Sequence, residues 1–126
     1  VKDPTSNYTI LLVDDSKTVL SVLRTYLMGA GFEFVAASDG RDALRLAMRT
    51  RPAVVISDVE MPHVDGLELC RVIRTAPGLT RTKVILISSK WTTERQEEAK
   101  RLKVDSCLQK PVDSSELARL VAKWFV

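Results

Sequence analysis

The stretch Ala53–Gly66, AVVISDVEMPHVDG, decides the fold. Val54, Val55 and Ile56 are consecutive β-branched residues, a run that suits a strand covered on both faces; a half-buried strand would alternate apolar and polar. The run stops at Asp58. A loop containing Pro62 then leads to Gly66–Arg74, a segment of helical period. The same unit recurs on either side. Upstream stand YTILLV followed by the helical segment Ser16–Met28, and FEFVAA followed by Arg41–Arg49; downstream stand KVILIS followed by Thr92–Leu102, and DSCLQ followed by Ser114–Phe125. Five strand–helix units result. Strands separated by helices cannot close as hairpins, so the reading is an α/β fold, a doubly wound five-stranded parallel sheet with five helices on its two faces. Leu11–Val13, Val54–Ile56 and Val84–Ile87 are continuously apolar and are placed mid-sheet.

The helical segments differ in how firmly they should pack. In the last one Leu117, Leu120, Val121 and Trp124 recur at i, i+3, i+4 and i+7, a stripe that packs on the sheet, with Asp113 or Ser114 as its cap. Thr92–Leu102 (TTERQEEAKRL) offers little beyond Ala99 and Leu102, so its hold on the core is expected to be weak. Gly29 and Gly31 fit a helix stop and turn.

The chain has 126 residues with 45% hydrophobic and 28% charged, the composition of one ordinary globular domain. Residues Val1–Asn7 (VKDPTSN) are polar and contain Pro4, and are expected to form a flexible arm before a domain spanning 8–126. No apolar run approaches the roughly 20 residues of a membrane span, and the first residues lack a signal peptide's apolar region, so a cytoplasmic setting is expected. Cys70 and Cys107 make neither a disulfide framework nor a zinc site, and both are expected to be buried thiols. The net charge is +3, with Lys and Arg spread along the chain, which favours a solvated basic surface over a nucleic-acid footprint. Nothing matches a nucleotide-binding glycine motif.

In an open parallel sheet, ligands bind beyond the carboxyl ends of the strands. The residues there are Asp14 and Asp15 after the first run, Asp58 after the third, Ser88 and Ser89 at the fourth, and Lys110–Pro111 after the fifth. Three carboxylates brought together would repel by roughly 4 kcal/mol per pair at 4 Å and an effective dielectric of 20 unless protonated or neutralised. Oxygen-only ligands select a hard divalent ion, Mg²⁺ with Mn²⁺ as the alternative, over zinc. Lys110 adds a positive point charge, and Ser88 a neutral hydroxyl.

This set resembles the receiver domain of two-component response regulators of the chemotaxis-regulator type. The likeness runs from about Tyr8 to Val126. It rests on Asp14 and Asp15 in VDDS, on Asp58, Met61, Pro62, Asp65 and Gly66 in DVEMPHVDG, on Ser88 in ISS and on Lys110–Pro111. The intervals linking Asp15, Asp58, Ser88 and Lys110 are 43, 30 and 22 residues, as the family shows. The resemblance implies a flavodoxin-like (βα)5 receiver fold and a phosphoacceptor that is not a turnover enzyme. It implies Asp58 as the nucleophile that forms an aspartyl phosphate and a direct Mg²⁺ ligand, Asp15 as another direct ligand, Asp14 acting through water, and the backbone carbonyl of Glu60 completing the protein's share of the metal shell. Ser88 and Lys110 would contact the phosphoryl group, and Lys110–Pro111 would be a cis peptide. Implied partners are a histidine kinase or phosphotransfer protein as donor and an output domain or protein reading the face of Thr92–Leu102, the last strand and the last helix. A homodimer through that face stays open; direct nucleic-acid contact is not expected.

Two departures matter. Cys107 stands where the family usually carries an aromatic residue that turns inward on activation, so the usual readout is in doubt and Trp91 is the candidate to take over surface contacts. Glu60 and Lys90 occupy the variable positions flanking the phosphoryl site, and a contact between them is expected to shield it. His63 is expected to be a solvated loop residue. Two rivals remain: an aspartate-dependent phosphatase or phosphotransferase, disfavoured because its nucleophile usually sits in a D-x-D pair after the first strand, and a degenerate receiver serving as a phosphorylation-independent protein-binding module, disfavoured by the presence of every acidic position with Ser88 and Lys110.

Overall fold

The structure is a computed structural model that describes residues 8–125. The arm expected over Val1–Asn7 lies outside the described residues. Strands β1 (Thr9–Val13), β2 (Glu33–Ala37), β3 (Val54–Asp58), β4 (Lys83–Ser88) and β5 (Ser106–Gln109) alternate with helices α1 (Lys17–Leu27), α2 (Gly40–Thr50), α3 (Gly66–Thr75), α4 (Thr93–Arg101) and α5 (Ser114–Lys123). The strands form one parallel sheet in the order β2-β1-β3-β4-β5. The three runs placed mid-sheet from their unbroken apolar character are β1, β3 and β4, the interior strands.

Side chains alternate across the sheet and seed two cores. Leu11, Val13, Val55, Val84 and Leu86 pack with Ala43 and Ala47 of α2 and with Leu69, Cys70 and Ile73 of α3. Ile10, Leu12, Val54, Ile56, Ile85 and Ile87 face the other way onto Leu23 and Leu27 of α1 and Leu117 and Val121 of α5. Each large side chain so buried contributes roughly 1.5–3 kcal/mol by leaving water, which is what holds the strands against the entropy of ordering them. Every helix opens on a side-chain cap: Ser16, Asp39, Asp65, Thr92 and Asp113 accept the N–H three residues ahead, from Val19, Asp42, Glu68, Arg95 and Glu116. The stop after α1 is made by Gly29, whose φ of 86° suits a residue without Cβ.

The weak apolar hold expected of α4 is seen: Ala99 is its buried residue. Polar contacts tether it instead. Glu98 pairs with Arg71 of α3 at 2.7 Å, and Gln96 donates to the carbonyl of Trp91 at 3.1 Å. The expectation that both cysteines are buried holds for Cys70 and fails for Cys107, which is exposed. Cys107 pairs in register with Leu86 at the edge of the sheet, on the face that α4 would cover, and a helix that buries only Ala99 leaves it open. Trp124 packs half-buried against the α1–α5 layer, with Lys83 Nζ 5.6 Å from its ring.

Candidate metal and phosphoacceptor site

The strand order reverses between β1 and β3, since the chain runs from β1 outward to β2 and returns to β3 on the other side. A crevice opens beyond the carboxyl ends of these strands. The register Val13↔Ser57 then places the residues that follow, Asp14 and Asp58, side by side. Ser57 and Val59 anchor Asp58 from both sides: the Ser57 hydroxyl donates to the Asp58 carbonyl at 2.9 Å, and Val59 N–H donates to the Ile87 carbonyl at 2.9 Å. Gly66 is required here. A Cβ at that position would stand 2.5 Å from the Asp58 carbonyl oxygen and 3.0 Å from Val59 Cα, so only glycine lets α3 begin this close to the end of β3.

Asp14 and Asp58 are 2% and 4% exposed, whereas Asp15 faces solvent. Each of the three offers a carboxylate oxygen within 4.8 Å of the others. Lys110, reaching in from the end of β5, sets Nζ 3.1 Å from Asp58 Oδ2 and 3.6 Å from Asp14 Oδ2. The peptide joining it to Pro111 is cis. Asp14 Oδ1 accepts the Ser16 N–H at 2.9 Å, and Asp58 Oδ1 accepts the Glu60 N–H at 3.3 Å.

Burial pushes the Asp58 carboxyl up to about 6, with the neighbouring Glu60 carboxylate adding to it and Lys110 opposing. Asp14 is likewise raised, chiefly by burial. Burial alone would lower Lys110, but hydrogen bonding and attraction to Asp58 and Asp14 outweigh it and raise the ammonium. Three carboxylates against one ammonium leave an excess of negative charge in a crevice lined by oxygen atoms. That donor set fits a hard divalent cation and offers nothing to a soft one.

Ser88 ends β4, and its hydroxyl is engaged by Glu60 and Lys90. Its Oγ lies 2.6 Å from Glu60 Oε1, to which it donates, and 3.0 Å from the Lys90 N–H, which it accepts. The contact expected between Glu60 and Lys90 is not the one formed. Glu60 pairs with Arg95 at 2.9 Å, and Lys90 enters through its backbone, its carbonyl accepting from Arg95 Nη1 at 2.8 Å. Position along the chain placed Lys90 near Glu60, but Arg95 in the first turn of α4 reaches the carboxylate and satisfies it. Arg95 is the residue that sequence reasoning missed. A signal existed: a cation stands in the first turn of a helix, the end where the helix dipole favours anions. Trp91 is half-buried, and its indole N–H donates to the Leu108 carbonyl on the edge strand at 2.7 Å. His63 is exposed, as expected, in a left-handed turn of φ 69°.

Comparison with known proteins agrees with this geometry. The response regulator receiver domain family matches residues 10–122. The chain belongs to that family. As a receiver domain it is a phosphoacceptor signalling module and not a turnover enzyme, and a kinase is its implied partner. It is 32% identical to Protein PilG of Pseudomonas aeruginosa over 108 residues, 86% of this chain and 80% of PilG. Its receiver fold is similar to that of Vibrio cholerae chemotaxis protein CheY4, with a TM-score of 0.85 at 30% identity over 94% of this chain and 98% of that one. A further likeness, TM-score 0.83 at 27% identity over 94% of this chain and 98% of the other, is to the receiver domain of a Pseudomonas aeruginosa sensor histidine kinase, whose structure holds a magnesium ion coordinated in the active-site cleft. Among the described residues of this receiver, no helix is long and apolar enough to cross a membrane.

Proposed function

We propose that Asp58 accepts a phosphoryl group from a phosphohistidine of a partner kinase or phosphotransfer protein, and that the modified domain presents a changed protein-interaction surface. The observation that carries this reading is the convergence of the Asp14, Asp15 and Asp58 carboxylates within 4.8 Å with Lys110 Nζ 3.1 Å from the acceptor. A carboxylate attacks phosphorus competently when the phosphoryl oxygens are neutralised, because such transfers depend on positioning and charge stabilisation. Lys110 supplies one positive charge. Asp15, Asp58 and the Glu60 carbonyl, with Asp14 acting through water, would hold Mg²⁺, or Mn²⁺ in its place; when bound, the ion neutralises phosphoryl oxygens and the excess negative charge of the crevice. With a pKa of about 6 in the metal-free site, Asp58 is still largely ionised at neutral pH and so available as nucleophile.

Ser88 would turn its hydroxyl from Glu60 to the phosphoryl group, and α4, whose hold on the core is largely polar, would follow. The face of α4, β5 and α5 is then the surface an output domain or protein reads, with a homodimer through it as one outcome. The test is to add Mg²⁺ and acetyl phosphate and follow the emission of Trp91 and Trp124. A metal-dependent change that disappears in Asp58→Asn supports the reading; an unchanged emission together with no adduct on the protein contradicts it.

A further inference from the structure

Arg95 belongs to no part of the phosphoacceptor chemistry, yet it is among the most heavily committed side chains beside the site. Its Nη1 lies 2.9 Å from Glu60 Oε1, 3.2 Å from Ser88 Oγ and 2.8 Å from the Lys90 carbonyl. These acceptors belong to three different segments: the loop after β3, the end of β4 and the loop leading into α4. Arg95 itself lies in the first turn of α4, just behind its cap Thr92. One side chain therefore joins the helix with the weakest apolar hold to the residue next but one to Asp58 and to the hydroxyl expected to meet the phosphoryl group.

The hydroxyl's hydrogen is the crux. Ser88 Oγ has a single proton to donate, and its near acceptors are Glu60 Oε1 at 2.6 Å and the Lys90 carbonyl at 3.0 Å, both of which Arg95 also engages. A phosphoryl group on Asp58 would offer Ser88 a stronger acceptor and would repel the Glu60 carboxylate. Either event removes a partner from Arg95. Because Arg95 and Glu60 are 32% and 37% exposed, their pair is weak enough to give way. The aromatic side chain that couples the hydroxyl to the output face in resembling proteins is replaced by Cys107, which is exposed and carries no ring. Trp91 lies between Ser88 and α4, and its carbonyl is bonded to Gln96, so it stands in the path of any movement that Arg95 transmits.

We infer that Arg95 is a positioning residue that couples the phosphoryl state of Asp58 to α4: it holds Ser88, Glu60 and the first turn of α4 together before phosphorylation and lets the helix go after it. This rests on Asp58 being the acceptor.

The experiment compares wild type, Arg95→Gln, Glu60→Gln and the double variant, each free and with Mg²⁺ plus beryllofluoride, by hydrogen exchange across α4 and by Trp91 emission. Native mass measurement reports whether the adduct forms. In the free protein, Arg95→Gln is expected to exchange the amides of Arg95–Glu98 faster than wild type, on the order of fivefold. The wild-type Trp91 response to beryllofluoride should be mostly lost in Arg95→Gln although that variant still takes the adduct; compared among molecules that carry the adduct, Glu60→Gln should lose it as well, and the double variant should go no further than either single one. An Arg95→Gln protein that takes the adduct and keeps the full Trp91 response overturns the proposal. So does one that cannot take the adduct, since Arg95 would then serve the chemistry itself. Failure of wild type to take the adduct would count against Asp58 as acceptor, while the comparison of free proteins would still test the coupling contact.

Discussion

Lys110 Nζ stands 3.1 Å from Asp58 Oδ2, bringing to two buried carboxylates the ammonium that offsets their charge. Replacing it with methionine leaves Asp58 and Asp14 facing each other without that charge. Lys110→Met is expected to lose about 1–3 kcal/mol of stability at pH 8 in chelator, read by urea unfolding, because removing one partner of a buried pair strands the other. The loss should shrink when Mg²⁺ is added. Adduct formation with acetyl phosphate should slow at least tenfold at saturating Mg²⁺, since the phosphoryl oxygens lose a cation that the metal does not replace.

The raised Asp58 carboxyl sets a pH dependence of stability. Its pKa moves from 3.8 to about 6 on folding, so between these values the folded protein holds a proton that the unfolded chain has released. Stability contributed by this group therefore falls as pH rises through that window, and the cost is complete above it. Asp58→Asn carries no such titration. In chelator it is expected to be more stable than wild type by on the order of 2–3 kcal/mol at pH 8, with the gap closing as pH falls from 6 to 4. Urea midpoints for the two proteins across that range check both size and direction.

Divalent metal should stabilise the folded state. At a hundredfold excess over its dissociation constant, a ligand that binds only the folded protein contributes about 2.7 kcal/mol, several degrees in Tm. Mg²⁺ is expected to produce that shift in wild type and much less in Asp15→Asn, whose carboxylate is exposed and so removable without disturbing the core. Differential scanning fluorimetry with Mg²⁺ titrated against Ca²⁺ and Zn²⁺ gives the measurement.

Gly66 ties the loop after the acceptor to the fold. The 2.5 Å approach of a Cβ to the Asp58 carbonyl oxygen cannot be relieved by rotating a flexible side chain, because the obstructing atoms, from Asp58 and Val59, are all backbone. Gly66→Ala is expected to cost about 1–3 kcal/mol by overpacking, more than alanine's better helix propensity returns. Since the strained contact is on Asp58 itself, adduct formation should slow as well. An unchanged urea midpoint would show that α3 can shift without cost.

The sheet and most of the site were legible because the same residues carry both signals. Unbroken apolar runs such as Val54–Ile56 mark interior strands, and the first polar residue after each run is brought to one edge of the sheet; the register Val13↔Ser57 then sets Asp14 against Asp58. Three readings needed more than order along the chain. Cys107 has a residue type that usually lies buried, and its exposure follows from sitting on an edge strand under a helix that covers little. Glu60 and Lys90 are near in the loops, but the direction of each side chain, which spacing does not contain, gave Glu60 to Arg95. Arg95 carries a signal in the sequence, a cation in the first turn of a helix, but its partners are visible only once that turn is packed beside the loop after β3.

The central claim is that Asp58 is the phosphoacceptor, and intact-mass analysis followed by peptide mapping tests it most directly. After incubation with Mg²⁺ and acetyl phosphate, wild type is expected to gain the mass of one phosphoryl group, located to Asp58, while Asp58→Asn and a metal-free control gain none. A wild-type protein that stays unmodified under these conditions, or one whose modification persists in Asp58→Asn, would contradict it.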